Sequence, residues 1–352
     1  MADSVIRRNV PFKWHYEHGL ALLAIEKVWQ KTGNGKYCDY IKSAIAQFVN
    51  VAGNINTYSI EEYNLDQINP GKVLFPLHKA TGDERCRKAL YLLREQLRNH
   101  PRTREGGFWH KKIYPHQMWL DGIYMASPFY AEFAQTFDEP AAFDDVAKQI
   151  LLIEKHTRDP KTGLLYHGWD ESKQQRWANP ETGCSPHFWG RAMGWYAMAI
   201  VDVLDYLPTD HPQRETIIAI FERMIAALAN VQDRPTGLWY QVLDQGNRAG
   251  NYLEASASCM FVYAIAKGVR KGYLADKYLD MAKKGYRGIL GNLIDINDRG
   301  LVNLNGTCGG AGLGGNPYRD GSFEYYIGEK IVTNDYKGVG PFILAGLEME
   351  SI

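Results

Sequence analysis

Residues 188–204 read FWGRAMGWYAMAIVDVL. Small or apolar side chains lie on nearly every side of this stretch, the pattern of a helix packed all round and not of one lying on a wet surface. Residues 253–269, LEASASCMFVYAIAKGV, read the same way. Other segments are half wet. Cys86, Ala89, Leu90, Leu93 and Leu97 recur at helical spacing, as do Ile217, Ile220, Phe221, Met224 and Leu228, so both predict amphipathic helices with one apolar face. For the second, Asp210 is the expected N-cap, with Pro212 in the first turn. Phe143, Val146, Ala147 and Ile150 mark a further helix behind Pro140.

The alternation of buried and half-wet helices repeats, and a glycine-led turn repeats with it: Gly106 to His110, Gly163 to His167, Gly237 to Gln241 and Gly300 to Leu304. The steps between these glycines are 57, 74 and 63 residues. A second series leads the buried helices: Asp66, Asp121, Arg191 and Ser256, at steps of 55, 70 and 65. One polar residue thus recurs at the same end of each buried helix. Such repetition means a solenoid or a closed ring of helix pairs, with a period longer and less regular than the common helical repeats. At about sixty residues per unit, 352 residues make roughly six units, so the expected fold is an all-α (α/α)6 barrel. The buried helices form its inner wall, and the repeat loops at one end build a funnel. No linker, low-complexity tract or charge block divides residues 1–352, which predicts a single barrel domain.

Composition narrows the function. Lys+Arg 40 balance Asp+Glu 40, which removes the electrostatic case for nucleic acid or an anionic membrane. No stretch reaches the length of a membrane span and the start of the chain lacks a signal-peptide core. Cys38, Cys86, Cys184, Cys259 and Cys308 are scattered, odd in number and free of CxxC, so neither a disulfide framework nor a zinc site is encoded. A cytoplasmic location is the expectation. Aromatic usage is high, with 9 Trp, 22 Tyr and 13 Phe. Such rings serve as core filler or as stacking platforms.

The chemistry concentrates between Gly106 and Trp195. This block holds His110, Trp119, Asp121, His167, Trp169, Asp170, His187, Trp189, Arg191 and Trp195, with Asp66 upstream in YNLDQINPGK. Arg191 and Trp195 are four residues apart and share a helix face, where a cation beside a ring suits the wall of a sugar-acid site. Asp121 opens a helix. The bland account of such an Asp is a cap, and the helix dipole lowers its pKa. To act as a general acid it needs burial or a neighbouring carboxylate, and Asp66 on the adjacent inner helix is the candidate. Pro128 either kinks that helix or restarts it with Ser127 as N-cap. His110 and His167 occupy equivalent turns, and His187 reads as packed. With no HExxH, HxH or Cys cluster, no metal is expected. The glycine-rich stretch 306–321 lacks the flanking strand and helix of a dinucleotide loop and reads as a flexible rim over the funnel.

Taken together, YNLDQINPGK, KIYPHQMWLDGIYMASPFYAEFA, GLLYHGWDE, HFWGRAMGWYAMAIVDVL, LEASASCMFVYAIAKG and VTNDYKGVGPFILA resemble the unsaturated rhamnogalacturonyl hydrolases, glycoside hydrolase family 105. The resemblance spans about residues 14 to 347. It implies an (α/α)6 barrel that removes the 4,5-unsaturated galacturonic acid left at the non-reducing end when a lyase cuts rhamnogalacturonan. Relatives acting on unsaturated glucuronyl units of glycosaminoglycans share the fold and the acid, but at WGRAMGW they read more like RGQAW, so Arg191 favours the rhamnogalacturonan branch. The resemblance assigns Asp121 as the general acid and base, Asp66 as the supporting carboxylate, and Tyr16, His110, Trp119, His167, Trp189, Arg191 and Trp195 as binding residues. It implies no metal or organic cofactor and, as partner, an unsaturated pectin-derived oligosaccharide.

The implied reaction is hydration of a vinyl ether, which needs a proton at carbon and a water at the neighbouring carbon. One carboxyl that donates and then accepts can serve both steps. Two other readings stay open: a conventional inverting glycosidase using Asp66 and Asp121 as its carboxylate pair, and a non-catalytic carbohydrate-binding repeat protein in which Asp121 is a cap.

Overall fold

The computed structural model describes residues 1–352. In chain order the helices are α1 (Ala2–Arg8), α2 (Tyr16–Thr32), α3 (Gly35–Ala46), α4 (Leu74–Thr81), α5 (Glu84–Asn99), α6 (Leu120–Thr136) and α7 (Ala142–Thr157). They continue as α8 (Gly190–Val203), α9 (Arg214–Asn230), α10 (Ala255–Arg270), α11 (Leu279–Asn292), α12 (Phe323–Gly328) and α13 (Tyr336–Met349). A 3-10 turn, Asn69–Val73, leads directly into α4. Packing closes a ring: α2 lies against this turn, which meets α6, and then α8, α10 and α13 follow until α13 returns to α2. Outside it, α3, α5, α7, α9 and α11 each pack on the inner helix that precedes them, and α1 packs on α2. The chain is therefore the expected (α/α)6 barrel.

Burial follows the sequence pattern. All fourteen residues of α8 are buried, whereas α5 buries the stripe that includes Cys86, Ala89, Leu90, Leu93 and Leu97. One cluster of 98 buried residues runs through the inner helices and the inward faces of the outer ones. No helix is long and apolar enough to cross a membrane.

Each repeat is tied to the next by the same backbone bond. The residue just before each helix leader donates its N–H to the last residue of the following turn: Leu65 to His110 O (3.2 Å), Leu120 to His167 O (3.0 Å) and Gly190 to Gln241 O (2.9 Å). Between α6 and the second turn the link extends to a strand pair, β1 (Gln117–Trp119) against β2 (Gly168–Asp170). The four turn glycines all have φ between +68° and +95°, which a residue with a Cβ adopts only with strain. The fourth repeat departs. Its turn closes a hairpin, β3 (Ile294–Ile296) with β4 (Val302–Leu304), and Ala255 N–H goes to Gly306 O instead, at 2.9 Å. A last pair, β5 (Thr307–Cys308) with β6 (Ile331–Val332), ties the start of the glycine-rich segment to the strand that follows α12.

Two local expectations are corrected. Asp210 does not cap α9: the proline-rich stretch folds into turns, with Arg214 N–H on His211 O, and regular helix starts only at Arg214. Nor does α6 restart at Ser127: the helix runs through Pro128, unbroken from Leu120 to Thr136. Proline frees the carbonyl four residues earlier, and that carbonyl, Tyr124 O, accepts from Asn69 Nδ2 at 3.4 Å. The neighbouring inner segment thus satisfies the group the proline leaves bare.

Candidate active site

The helix leaders converge as the repeat demands. Asp66 sits in a 3-10 turn (Leu65–Gln67) ahead of the α4 segment, and Asp121, Arg191 and Ser256 stand in the first turns of α6, α8 and α10. At this end of the barrel lies a cavity of about 270 Å³ whose wall includes Tyr16, Asp66, His110, Lys111, Trp119 and Asp121. Its size suits one sugar ring and its substituents, and its polar lining is convergent in the manner of a ligand site. Glycine-rich residues Gly309, Gly310 and Ala311, together with Arg319, form the wall facing the two acids, so the 306–321 stretch does lie over the funnel.

The two carboxylates have different surroundings. Lys111 Nζ is 2.6 Å from Asp66 Oδ2, and His110 Nε2 is 3.5 Å from its Oδ1. Burial alone would raise the Asp66 pKa, but Lys111 and His110 outweigh it and hold the carboxyl below its ordinary value. Asp66 is therefore a fixed anion at neutral pH. Asp121 makes no capping bond: the N-cap position of α6 is Trp119 and no side chain caps the helix. Its Oδ2 lies 3.2 Å from His167 Nε2, without the alignment of a hydrogen bond.

The rings around the acids are ordered by stacking. His110 lies flat on Trp119, with centroids 4.4 Å apart at 17°, and Tyr114 also stacks on Trp119, at 4.9 Å and 22°. Burial brings the His110 pKa down to about 4, so its ring is neutral. His167 is fully buried behind Asp121, its Nδ1 2.8 Å from Tyr326 OH. Tyr16, on the opposite wall, keeps its proton, because burial and the nearby Glu17 and Asp66 push its pKa well up.

Trp189, Arg191 and Trp195 are placed differently from the sequence expectation. Each is almost fully buried and none lines the cavity. Arg191 donates from Nη2 to Cys308 O, lies 3.8 Å from Glu254 and rests 5.4 Å from the Trp189 ring. Glu254 in turn caps α10 and accepts from Cys308 N–H, so this buried pair clamps the start of the glycine-rich stretch to two inner helices. Trp195, one turn further down α8, stacks on Tyr124 at 4.9 Å and meets Tyr16 edge-on. It faces the barrel interior, as its spacing from Arg191 implied, but below the cavity floor. Trp169 stacks on His156 and Asp170 ties a loop through Ser172, Gln174 and Gln175. His187 packs against Gln245 and Phe323.

Sequence reasoning missed Lys111, Tyr114, Arg319 and Tyr326. Lys111 directly follows His110 and could have been found by asking what neutralises Asp66. Tyr114 lies in the short loop between the first glycine turn and β1, and Arg319 and Tyr326 come from the rim loop and from α12, where no repeat register points.

Comparison with known proteins gives a consistent picture. A family profile described as Glycosyl Hydrolase Family 88 matches residues 2–352. A family 105 glycoside hydrolase structure from C. acetobutylicum is 52% identical, with a TM-score of 0.98, covering 100% of this chain and 98% of that one. An "unsaturated rhamnogalacturonyl hydrolase", YesR of Bacillus subtilis, is 27% identical over 285 residues, 79% of this chain and 77% of that protein. An unsaturated glucuronyl hydrolase from Bacillus sp. GL1, 13% identical with a TM-score of 0.70 over 96% of this chain and 86% of its own, shares the fold.

Proposed function

Because the chain belongs to glycosyl hydrolase family 88, among the unsaturated glycuronyl hydrolases, we propose that it removes the 4,5-unsaturated galacturonic acid from the non-reducing end of rhamnogalacturonan fragments. The observation that carries the mechanism is the unequal treatment of the two acids. Asp66 is held as an anion by Lys111, while Asp121 has neither cap nor cation and is left free to give and take a proton.

Asp121, protonated, donates to C4 of the double bond, and positive charge develops at C5, shared with the ring oxygen. Water adds at C5 and returns a proton to the Asp121 carboxylate, which resets the acid. The hemiketal at C5 then opens to a ketone, and the hemiacetal left at C1 expels the aglycon hydroxyl. No bond forms between enzyme and sugar. Asp66 and His110 hold hydroxyls of the ring, Trp119 backs His110, and His167 stands behind Asp121. A cavity the size of one sugar ring supports action on a terminal residue. The permanent charge on Asp66 argues against the inverting-glycosidase alternative with Asp66 as the acid.

Rhamnose as the preferred leaving sugar is supported by Arg191 in WGRAMGW and by the likeness to YesR. Five free, buried cysteines are consistent with a cytoplasmic site of action. The test is a panel of lyase-generated disaccharides, rhamnose-linked against amino-sugar-linked, followed by loss of the ultraviolet absorbance of the conjugated double bond. Preference for the amino-sugar-linked member overturns the substrate assignment.

A further inference from the structure

We propose that Arg319 is a specificity-determining residue that takes a carboxylate of the substrate. The proposal rests on the unsaturated-uronide reading above. The cavity wall carries two permanent cations, Lys111 and Arg319. Lys111 is already neutralised by Asp66 at 2.6 Å. Likewise Glu17, on the opposite wall, is matched by Lys337 at 2.6 Å. Arg319 differs from both: its hydrogen bonds all go to neutral acceptors, from Nε to Gly314 O (2.8 Å) and from Nη2 to Tyr114 OH (2.8 Å) and Leu313 O (3.2 Å).

Those bonds fix the planar guanidinium and leave Nη1 without a protein acceptor. The loop is shaped to receive it, because the group fills the space where a side chain on residue 312 would stand, and residue 312 is glycine. Its anchor, Tyr114, is itself stacked on Trp119, which lies on His110. A fixed cation thus ends an aromatic stack that leads to the acids. A held guanidinium whose Nη1 alone is unspent offers a fixed charge-assisted donor to a carboxylate oxygen and loses little freedom on binding it. A substrate uronate supplies that anion, either from the terminal unsaturated ring or from a second uronic acid further along the chain.

The experiment measures KM for free-acid and methyl-esterified forms of the unsaturated disaccharide and of the tetrasaccharide, with the wild-type enzyme and with R319Q. The wild type should bind the free acids about tenfold or more better than the esters, the scale of one charge-assisted bond, and in R319Q the two should converge. Convergence with the disaccharide places the terminal carboxylate on Arg319; convergence only with the tetrasaccharide places the second one there. If Arg319 merely ties the loop down, R319Q changes acid and ester alike and their ratio persists, which overturns the proposal. Should R319Q not fold, R319K replaces it: loss of the loop-held Nη1 donor narrows the ratio several-fold, and an unchanged ratio again overturns it. A wild-type enzyme that consumes none of these sugars refutes the proposed function, a separate outcome from wild-type turnover with no acid preference, which refutes only the role of Arg319.

Discussion

Lys111 Nζ stands 2.6 Å from Asp66 Oδ2, joining the residue after a turn histidine to the leader of the preceding inner segment. The next repeat keeps the histidine and the aspartate, as His167 and Asp121, but follows the histidine with Gly168. Of two carboxylates at equivalent register, Asp66 thus has a lysine for counter-charge and Asp121 has none.

Replacing Lys111 by Met leaves Asp66 buried with no full counter-charge. We expect a stability loss of about 1–3 kcal/mol, the penalty of an unsatisfied buried charge on a partly exposed partner. Because the pair lowers the Asp66 pKa, its stabilisation is present above the ordinary carboxylate value and disappears as pH falls through the lower folded value. The loss in K111M should accordingly be seen at neutral pH and shrink in strong acid. Urea denaturation of both proteins across pH checks it; equal stability at neutral pH would show that the pair contributes nothing.

The barrel should weaken in mild acid. Burial holds His18, His100 and His110 down to about 4, below the ordinary value near 6.5. The unfolded chain binds these protons first, so stability is full above the ordinary histidine value and falls as pH drops toward 4. Each group contributes a slope of up to about 1.4 kcal/mol per pH unit. His100 lies away from the cavity, bonded to Trp109 O, and His100→Gln should reduce the slope by about one such share. Melting temperature against pH decides this, and a flat profile for the wild type would count against it.

Arg191 tests how far spacing alone can be trusted. Arg191→Ala strands the Glu254 carboxylate in a dry interior, for which about 3–5 kcal/mol is the usual cost. Arg191→Lys keeps the charge but loses the fork and should destabilise less. Denaturant melts of both variants measure it; unchanged midpoints would return Arg191 to the cavity wall.

These results mark what a linear reading can reach. Two periods were visible, the glycine turns and the helix leaders, and since both arise from backbone geometry they located the barrel, its open end and the Asp66 and Asp121 positions. Depth was not visible. Arg191 and Trp195 face inward as their spacing requires, yet whether an inward side chain meets solvent or another ring depends on what crosses above it, here the stretch after Cys308. Arg319 and Tyr326 belong to no repeat, and their arrival at the site is a tertiary event with no local signal. The continuity of α6 through Pro128 was hidden for the same reason, since the amide that bonds the freed carbonyl lies on another segment.

Chelation should leave activity unchanged. No three side chains of His, Cys, Asp or Glu are grouped so as to hold a metal ion, and the proposed route needs only a proton and water. Activity lost to EDTA and restored by a divalent cation would contradict this.

The central claim is that Asp121 moves both protons. Its most direct test is the ultraviolet absorbance of a rhamnose-linked unsaturated disaccharide incubated with wild-type enzyme and with Asp121→Asn, alongside a binding titration and a melt of the variant. The account predicts steady loss of absorbance with the wild type, and at least about a 10²- to 10⁴-fold slower loss with the variant, which still folds and still binds the sugar. Near wild-type turnover by Asp121→Asn would contradict it and would leave Asp121 a bystander at the head of its helix.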